Sequence, residues 1–166
     1  MALPHPDTQP RSLLCAVLTI SDTRTPETDR SGQLIHERLA TAGHRVGVYH
    51  ILKDEPDLIR QTLAQLPTSI EVILLNGGTG IAPRDTTYDA IATLLDKSLP
   101  GFGELFRMLS YEEVQSRAMA SRAIAGTWGD RLVFSMPGSS NAVKLAMDKL
   151  ILPEIVHLVQ QLRLVQ

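Results

Sequence analysis

The amino-acid sequence predicts an α/β protein, in the form of a three-layer α/β/α sandwich around a mainly parallel sheet. Short apolar runs alternate with amphipathic segments along the chain, which is the order of strands and helices linked by right-handed crossovers. The strand candidates are apolar on almost every residue, as strands are when helices cover both faces of a parallel sheet. With 166 residues, the chain has the length of about one domain.

Composition excludes several functional classes. The net charge is −2, with 43% hydrophobic and 20% charged residues, which fits neither a basic nucleic-acid-binding protein nor a disordered chain. A single cysteine excludes an internal disulfide, the five histidines have no metal-ligand spacing, and no apolar run approaches the ~20 residues of a membrane span. The N-terminus also lacks the features of a signal peptide. We therefore expect a cytoplasmic protein without nucleic-acid or membrane partners.

The domain boundary follows a proline-rich start. Three prolines among the first ten residues predict a flexible arm over residues 1–12. No repeat, low-complexity tract or linker interrupts the rest of the sequence. Residues 13–166 are therefore predicted to form a single domain.

The first half of this domain predicts three strands and two helices. Ile35, Leu39 and Ala42 follow the helical spacing i, i+4, i+7, and Gly43 stops this helix. The second helix opens around Pro56, because the missing N–H of proline costs little in the first turn. The strands are predicted over residues 13–20, 46–52 and 70–75.

The second half predicts mainly helices. Thr86 begins the first of them, with its hydroxyl as the cap. Residues 100–103 (Pro-Gly-Phe-Gly) predict a break, and residues 104–125 predict a helical region that Ser110 restarts through a capping box with Glu113. A fourth strand and two closing helices are predicted over residues 132–136, 141–150 and 153–164.

Polar or glycine-rich segments follow each of the four predicted strands. Ligands of open parallel sheets bind beyond the carboxyl ends of the strands, so these segments are expected to meet at one edge. The sequence therefore predicts a binding site there. The segments contain Ser21 and Asp22, then Asp54, then Gly77, Gly78, Thr79 and Gly80, and finally Pro137, Gly138 and Ser139.

The loop of residues 77–80 (Gly-Gly-Thr-Gly) is the sharpest local motif. Glycine amides can approach a phosphate closely, and the threonine hydroxyl adds a donor. The spacing matches neither the P-loop nor the dinucleotide-binding fingerprint. Anion binding and an ordinary tight turn both remain open. The same holds for the turn after the last strand, where Ser139 can cap a helix or help to bind an anion.

Two aspartates, Asp54 and Asp85, accompany this loop at the expected edge. Each lies close to the start of a predicted helix and can cap it through a carboxylate oxygen. The alternative is that both ligate Mg²⁺ beside a bound phosphate, since Mg²⁺ prefers carboxylate and phosphate oxygens. Arg84, Lys53 and Arg24 are the basic residues available to neutralise phosphate charge, with solvated side chains as the alternative.

The ordered motifs of the chain resemble those of the MoaB/MogA family of molybdenum-cofactor biosynthesis proteins. The resemblance covers nearly all of the chain after residue 12, and residues 106–113 look more like the MoaB branch than the MogA branch. The motifs are Leu-Thr-Ile-Ser-Asp-Thr (18–23), Gly-Gly-Thr-Gly (77–80), Pro-Arg-Asp-Thr-Thr (83–87), Pro-Gly-Phe-Gly-Glu (100–104), Ser-Arg-Ala (121–123) and Met-Pro-Gly-Ser (136–139).

The resemblance implies a molybdopterin-binding protein that assembles as a homotrimer or homohexamer and meets other proteins of the same pathway. Active family members adenylylate molybdopterin with Mg-ATP and release pyrophosphate. By motif, Asp54 and Asp85 match the family's two key aspartates, with catalytic and Mg²⁺-binding roles. With the polar residues of the edge included, the expected binding residues are Ser21, Asp22, Gly77, Gly78, Thr79, Gly80, Arg84, Thr86, Ser110, Ser121, Arg122, Pro137, Gly138 and Ser139.

Two functions are compatible with the resemblance. The retained pair Arg84 and Asp85 favours a molybdopterin adenylyltransferase, whereas the MoaB-like residues 106–113 favour a non-catalytic molybdopterin carrier. Ala123 and Ser140 stand where active relatives often have other residues. A third alternative, a nucleotide hydrolase related to CinA, is disfavoured because the chain has no additional domain.

Phe102, Phe106 and Met108 give a second reason to expect self-association. One small domain is not expected to cover all three apolar side chains, and an exposed apolar patch often marks a subunit contact. The alternative is that they pack internally against the sheet.

Overall fold

The computed structural model describes residues 11–163, so residues 1–10 of the predicted arm and residue 164 of the last predicted helix lie outside it. No helix in the described range is long and apolar enough to cross a membrane. The strands of this range are β1 (Leu14–Ile20), β2 (Arg45–Leu52), β3 (Val72–Asn76), β4 (Lys97–Ser98), β5 (Ile124–Trp128) and β6 (Arg131–Met136). Its α-helices are α1 (Arg30–Thr41), α2 (Pro56–Ala64), α3 (Thr87–Ala92), α4 (Pro100–Val114), α5 (Ser140–Ala146) and α6 (Leu152–Arg163).

These strands form one sheet in the order β2–β1–β3–β6–β5–β4. The first four are parallel, β5 runs antiparallel to β6, and β4 runs antiparallel to β5. Helices α1, α4, α5 and α6 pack on one face, and α2 and α3 pack on the other. The predicted α/β/α sandwich around a mainly parallel sheet is confirmed.

The central strands bury both faces, because alternate side chains enter two separate cores. In β3, Val72 and Leu74 pack against one helix layer, and Ile73 and Leu75 pack against the other. All four side chains are fully buried. This two-sided burial explains the unbroken apolar runs that predicted the parallel strands.

The predicted helical region at residues 104–125 is wrong at both ends. Helix α4 already begins at Pro100, because a proline in the first turn loses no intrahelical hydrogen bond. The Pro-Gly-Phe-Gly stretch therefore starts a helix rather than breaking one. The helix ends where Gln115 takes a positive φ of 55°, and a 3₁₀ segment follows over Gln115–Ala120. Ser110 lies inside α4 and does not restart a helix.

Strands β4 and β5 have no counterpart in the sequence prediction. β5 overlaps the end of the predicted helical region and pairs with β6 through a turn at Gly129, whose φ is 56°. A Cβ on Gly126 of β5 would collide with the carbonyl oxygen of Lys97 in β4. Glycine is needed here because the two backbones approach closely. Since glycine has no side chain, the alternation of apolar and polar residues that identifies a strand in a sequence is absent from β5.

The structure corrects the expectation of an uncovered apolar stretch in α4. Phe102 and Phe106 are only 8% and 1% exposed, and the ring centroids of Phe102 and Phe134 lie 5.3 Å apart. Both phenylalanines therefore belong to the core between α4 and the sheet. Met108 is 57% exposed and faces outward, as does Leu105.

The two closing helices follow each other without a loop. A π-helical segment over Met147–Ile151 leads directly from α5 into α6. Its Met147 and Ile151 are buried in the same core as the helices on either side. The predicted break before Pro153 is therefore absent, and this proline lies in α6 directly after the π-helical segment.

At the amino end of the sheet, one carboxylate ties distant parts of the chain together. Glu71, just before β3, pairs with Arg11 and with Arg163 at the end of α6 (2.6 Å to the latter). It also accepts a hydrogen bond from the amide of Leu14 in β1 (3.1 Å). The polar loops that follow β1, β2, β3 and β6 lie at the opposite, carboxyl end of the sheet.

Candidate functional site

The loops after the parallel strands meet at the carboxyl edge of the sheet. The amide of Ser21 donates to the carbonyl of Leu52 (2.7 Å), which joins the loop after β1 to the end of β2. The amide of Gly77 donates to the carbonyl of Met136 (3.0 Å), which joins the loop after β3 to the end of β6. A Cβ on Gly138 would lie 3.1 Å from the Cα of Gly77. The structure therefore brings the four predicted segments together on one surface.

The glycine-rich loop after β3 depends on its glycines. Gly77 and Gly78 have φ values of 103° and 64°, a region that residues with a Cβ rarely adopt. A Cβ on Gly77 would collide with the carbonyl oxygen of Ile20. One on Gly78 would collide with the side chains of Thr87 and Asp54. The loop is thus a tight turn that sits directly against Asp54.

Asp54 binds the residues at the start of α3 and does not cap the helix that follows it in sequence. Its Oδ1 accepts hydrogen bonds from the hydroxyls of Thr86 (2.7 Å) and Thr87 (3.2 Å), and the amide of Thr86 lies 3.3 Å from both carboxylate oxygens. Thr86 occupies the N-cap position of α3 as predicted, but its hydroxyl donates to Asp54 and makes no capping hydrogen bond of its own. The N-cap position of α2 belongs to Glu55. The Oδ2 of Asp54 shares only the amide and faces Gly78, so it keeps acceptor capacity.

Asp85 closes a turn and does not cap α3. Its Oδ2 accepts the amide of Ala82 (2.9 Å), and its own amide donates to the carbonyl of Ala82 (2.9 Å). A Cβ on Gly80 would lie 2.6 Å from this Oδ2, so the carboxylate rests against the glycine-rich loop. Among the described residues, Oδ1 has no donor. Both aspartates therefore have one committed oxygen and one with room for a further ligand.

Protein acceptors already hold two arginines of this edge. Arg84 pairs with Asp22 (2.6 Å), and the two side chains are 69% and 38% exposed. The guanidinium of Arg122 donates to main-chain carbonyls of the glycine-rich loop.

The hydroxyl of Ser21 accepts two amides of its own loop, both at 3.2 Å, and so shapes that loop.

A cavity of about 150 Å³ opens beside the loop after β6. Ser110, Ser121, Pro137 and Ser139, all predicted from the sequence, line it. The hydroxyl of Ser139 accepts the amide of Ala142 (3.2 Å) and caps α5. The Oγ of Ser121 is buried and has no partner within residues 11–163. Buried hydroxyls are nearly always hydrogen-bonded, so Ser121 is a group that a ligand in the cavity can satisfy.

The sequence prediction missed the other polar residues of this cavity. Glu113, Arg117 and Asn141 also line it. A neighbouring cavity of about 690 Å³ shares Glu113 and Asn141 and adds Lys144. The available signal is the i, i+3 spacing of Ser110 and Glu113, which places both on one face of α4. Arg117 lies beyond the end of that helix, in the 3₁₀ segment, and has no such signal.

The predicted residues thus divide into two neighbouring parts. We call Asp54, Asp85 and the glycine-rich loop the carboxylate side, and the cavity with Ser110, Ser121 and Ser139 the cavity side. The contact between Gly138 and Gly77 joins the two parts. No three His, Cys, Asp or Glu side chains cluster as a metal site anywhere in residues 11–163.

A buried polar network beneath the edge also escaped the sequence prediction. Asp29, the N-cap of α1, accepts hydrogen bonds from the hydroxyl of Tyr49 (2.6 Å) and the amide of Gly32 (2.9 Å). Burial by itself raises the pKa of Asp29, but hydrogen bonds, including one from Thr19, outweigh burial and hold the pKa below its usual value. The amide of Asn76, directly before the glycine-rich loop, donates to Thr19 (2.9 Å). The network therefore supports the base of that loop.

Known proteins resemble this chain in both sequence and fold. Residues 16–157 match a family model described as a probable molybdopterin binding domain. Molybdenum cofactor biosynthesis protein B of Bacillus cereus is 55% identical over 161 residues, which cover 95% of each chain. A crystal structure of a molybdenum cofactor biosynthesis protein B has a TM-score of 0.90 at 56% identity, over 94% of this chain and 99% of that one. The tungsten cofactor synthesizing protein MoaB of Pyrococcus furiosus has a TM-score of 0.82 at 37% identity, over 93% and 99%.

Proposed function

Because the chain belongs to the MoaB/MogA family of molybdenum-cofactor biosynthesis proteins, we propose that it binds molybdopterin and adenylylates it with Mg-ATP. The observation that carries the catalytic part is the pair of aspartates on the carboxylate side. Asp54 and Asp85 both face the glycine-rich loop, and each keeps acceptor capacity on one oxygen. This arrangement suits a bound cation and its phosphates better than it suits a purely structural turn.

In the proposed reaction, a terminal phosphate oxygen of molybdopterin attacks the α-phosphorus of ATP. A new P–O bond forms, the bond between the α-phosphorus and the bridging oxygen breaks, and pyrophosphate leaves. A phosphate oxygen is already a nucleophile, so the reaction needs no strong base. The protein contributes positioning and charge neutralisation.

Asp54 and Asp85 would hold Mg²⁺, which would neutralise charge on the ATP phosphates. Two carboxylates fit this ion, because Mg²⁺ usually takes one or two from the protein and its other ligands from phosphates and water. Amides of the loop from Gly77 to Gly80 would bind phosphate oxygens. Arg84 is available as well, since its ion pair with Asp22 is exposed and exposed pairs are worth little.

The cavity side would bind molybdopterin. Its walls combine apolar side chains with the unpartnered hydroxyl of Ser121, and such a lining suits a flat ring with polar edges. Ser110 and Ser139 would add polar contacts to the same ligand. The contact between Gly138 and Gly77 would then keep molybdopterin and ATP on adjoining surfaces.

A non-catalytic molybdopterin carrier is the second candidate, and one observation favours it. The guanidinium of Arg122, beside the glycine-rich loop, is already committed to main-chain carbonyls and to Asp89. A carrier would need no cation free for the triphosphate. The two candidates agree on the cavity side and differ only on the carboxylate side.

The test is to incubate the purified protein with molybdopterin and ATP, with and without Mg²⁺. The proposal predicts adenylylated molybdopterin and pyrophosphate in equal amounts, only when Mg²⁺ is present. Molybdopterin binding without product would leave the carrier. No binding of molybdopterin would refute both candidates.

We further propose that the protein works in the cytoplasm, as a homotrimer or homohexamer that interacts with other proteins of the same pathway. Support for self-association comes from the outer side of α4 and the following 3₁₀ segment, where Leu105, Met108, Tyr111 and Met119 are exposed. Light scattering should give a multiple of three times the 18.2 kDa chain at micromolar concentration. A mass of one chain across that range would rule the assembly out.

A further inference from the structure

Arg122 joins the two parts of the site without lining the cavity. It follows Ser121, which belongs to the cavity wall, and it precedes β5. Its amide donates to the carbonyl of Thr79 in the glycine-rich loop (3.3 Å). Its side chain is 29% exposed and reaches the same loop.

The guanidinium of Arg122 bonds both ends of the segment from Gly80 to Asp85, which continues the glycine-rich loop. Its Nε donates to the carbonyl of Gly80 (3.0 Å), and its Nη2 donates to the carbonyl of Asp85 (2.8 Å). Its Nη1 donates to the carboxylate of Asp89 in α3 (3.0 Å), and the guanidinium carbon lies 4.9 Å from the ring centroid of Tyr88. All three nitrogens therefore have protein acceptors. One side chain holds both ends of the loop, which the planar fork of arginine makes geometrically feasible.

Two other contacts hold this loop: the hydrogen bonds from Thr86 to Asp54 directly after it, and the exposed ion pair of Arg84 with Asp22. Ile81 at its tip is 77% exposed, so side-chain packing does not fix the backbone there. The hydrogen bonds between Ala82 and Asp85 close the turn but do not anchor it to the sheet. Arg122 is the one side chain among these contacts that bonds the loop backbone at both Gly80 and Asp85, so it contributes to the direction in which the Asp85 carboxylate points.

From this geometry we infer that Arg122 is a positioning residue, which orients Asp85 and the glycine-rich loop toward Mg-ATP and does not bind molybdopterin. The inference rests on the proposed adenylylation. It differs from the direct binding role that the family resemblance implies for Arg122. A guanidinium that contacted a substrate phosphate would have to give up its bonds to the carbonyls of Gly80 and Asp85.

The test compares Arg122→Lys with Arg131→Lys. Lysine keeps the charge but cannot bridge two carbonyls as the arginine fork does. Arg131 is the matched control because it makes the same kinds of contact at the far end of the sheet, with the carbonyl of Pro67 (3.0 Å) and the ring of Trp128 (5.5 Å).

For Arg122→Lys we expect kcat to fall roughly 10- to 100-fold, while the Kd for molybdopterin stays within about twofold of wild type. Arg131→Lys should leave both quantities unchanged. An unchanged kcat in Arg122→Lys would overturn the inference. So would a rise in the Kd for molybdopterin that matches the fall in kcat, because Arg122 would then contact the substrate.

Amide hydrogen exchange over residues 79–86, measured without substrate, provides a readout that needs no turnover. Exchange should be faster in Arg122→Lys and unchanged in Arg131→Lys, and equal exchange in Arg122→Lys and wild type would overturn the inference. If wild type forms no adenylylated product, the proposed reaction fails while this measurement still decides the role of Arg122. Asp89→Asn removes the negative charge from the Nη1 contact alone and should show the same changes more weakly. This variant keeps the inference testable if Arg122→Lys does not fold.

Discussion

At the amino end of the sheet, Glu71 is 9% exposed and both of its carboxylate oxygens have donors, from Arg11, Arg163 and the amide of Leu14. At the carboxyl end, Asp85 has a donor on one oxygen only among the described residues. Both carboxylates are held by the fold, but only the second keeps capacity for a further ligand. The two ends therefore differ in how completely their charged groups are paired.

This difference separates charges that hold the fold from charges that are available to a ligand. A buried carboxylate is tolerated only when its lone pairs are satisfied, and Glu71 meets that condition by joining β1, β3 and α6. Asp54 and Asp85 are only half-buried and keep acceptor capacity. We therefore expect substitutions at the amino end to reduce stability and substitutions at the carboxyl end to reduce activity.

The largest expected effect is the loss of turnover in Asp85→Asn. Asparagine keeps an oxygen that can accept the amide of Ala82, so the turn survives. It loses the negative charge that a hard cation such as Mg²⁺ requires. We expect turnover of molybdopterin and Mg-ATP to fall at least ~100-fold, with an unchanged Tm and an unchanged Kd for molybdopterin. Product formation, thermal unfolding and molybdopterin titration measure the three quantities.

Asp57→Asn is the matched control for Asp85→Asn. Asp57 is a fully exposed acid in α2 whose side chain pairs with Arg60 (3.4 Å). Its substitution should leave turnover, Tm and molybdopterin affinity at wild-type values. Wild-type turnover in Asp85→Asn would remove Asp85 from the catalytic assignment, and a lowered Tm would mean that its role is structural.

The next largest effect is the loss of stability in Glu71→Gln. Glutamine has the same size, but it cannot pair with two guanidinium groups, so Arg11 and Arg163 lose their charged partner. We expect the free energy of unfolding to fall by about 2–3 kcal/mol, because hydrogen bonds to charged groups are worth about 1.5–3 kcal/mol. Urea denaturation measures this change, while kcat of the folded protein should stay at the wild-type value. A loss of turnover as large as that of Asp85→Asn would contradict the division between the two ends.

The sequence predicts the parallel part of this fold because the relevant signal is local. β1, β3 and β6 are buried on both faces, so nearly every residue is apolar. β5 lacks that signal, since it contains Gly126 and follows residues that favour helix. β4 has only two residues and is defined by its partner. An antiparallel edge of this kind is therefore visible only once the chain has folded.

The site shows the same limit. Parallel topology alone brings Asp54 and the glycine-rich loop to one edge, and the sequence predicts this. The partner of Asp54 lies 32 residues away at Thr86, and one partner of Glu71 lies 92 residues away at Arg163. Neither spacing has a local pattern. Which polar groups are fully paired therefore depends on tertiary contacts, and that distinction decides between a structural and a functional role.

Tyr49→Phe tests whether pairing, rather than position in the sheet, decides the role of a carboxylate. Asp29 lies near the carboxyl end, yet it is fully buried and well bonded. Loss of the Tyr49 hydroxyl should lower the free energy of unfolding at pH 7 by about 1–2 kcal/mol and leave kcat unchanged.

The effect of Tyr49→Phe should also depend on pH in one direction. Hydrogen bonds hold the pKa of Asp29 below its ordinary value, so their contribution to stability is present above the unfolded pKa of about 3.9 and is lost as pH falls through the folded pKa. Without the hydroxyl of Tyr49, the folded pKa moves back toward the ordinary value. The difference in stability between wild type and Tyr49→Phe should therefore shrink as pH falls below about 4. A difference that stays constant down to pH of about 2 would mean that the bond does not depend on the charge of Asp29.

The smallest expected effects come from two serines that line the same cavity, one with a paired hydroxyl and one with an unpaired hydroxyl. The hydroxyl of Ser139 is committed to the amide of Ala142, whereas that of Ser121 is buried without a partner in the described part of the chain. Ser139→Ala removes a helix cap and should lower the free energy of unfolding by about 1 kcal/mol. Ser121→Ala removes a hydroxyl that contributes nothing to the folded chain, so stability should stay within about 0.5 kcal/mol or rise slightly.

Ser139→Ala should have the larger effect on stability, whereas Ser121→Ala should have the larger effect on molybdopterin binding. If molybdopterin forms a hydrogen bond with the free hydroxyl of Ser121, Ser121→Ala should raise the Kd for molybdopterin roughly tenfold. This factor corresponds to the free energy of about one hydrogen bond. Ser139→Ala should change the Kd less, because its oxygen already accepts the amide of Ala142. Titration of both variants, together with urea denaturation of each without ligand, gives the four values. Equal losses of affinity in the two variants would mean that the pairing seen in the free protein does not indicate which groups bind the ligand.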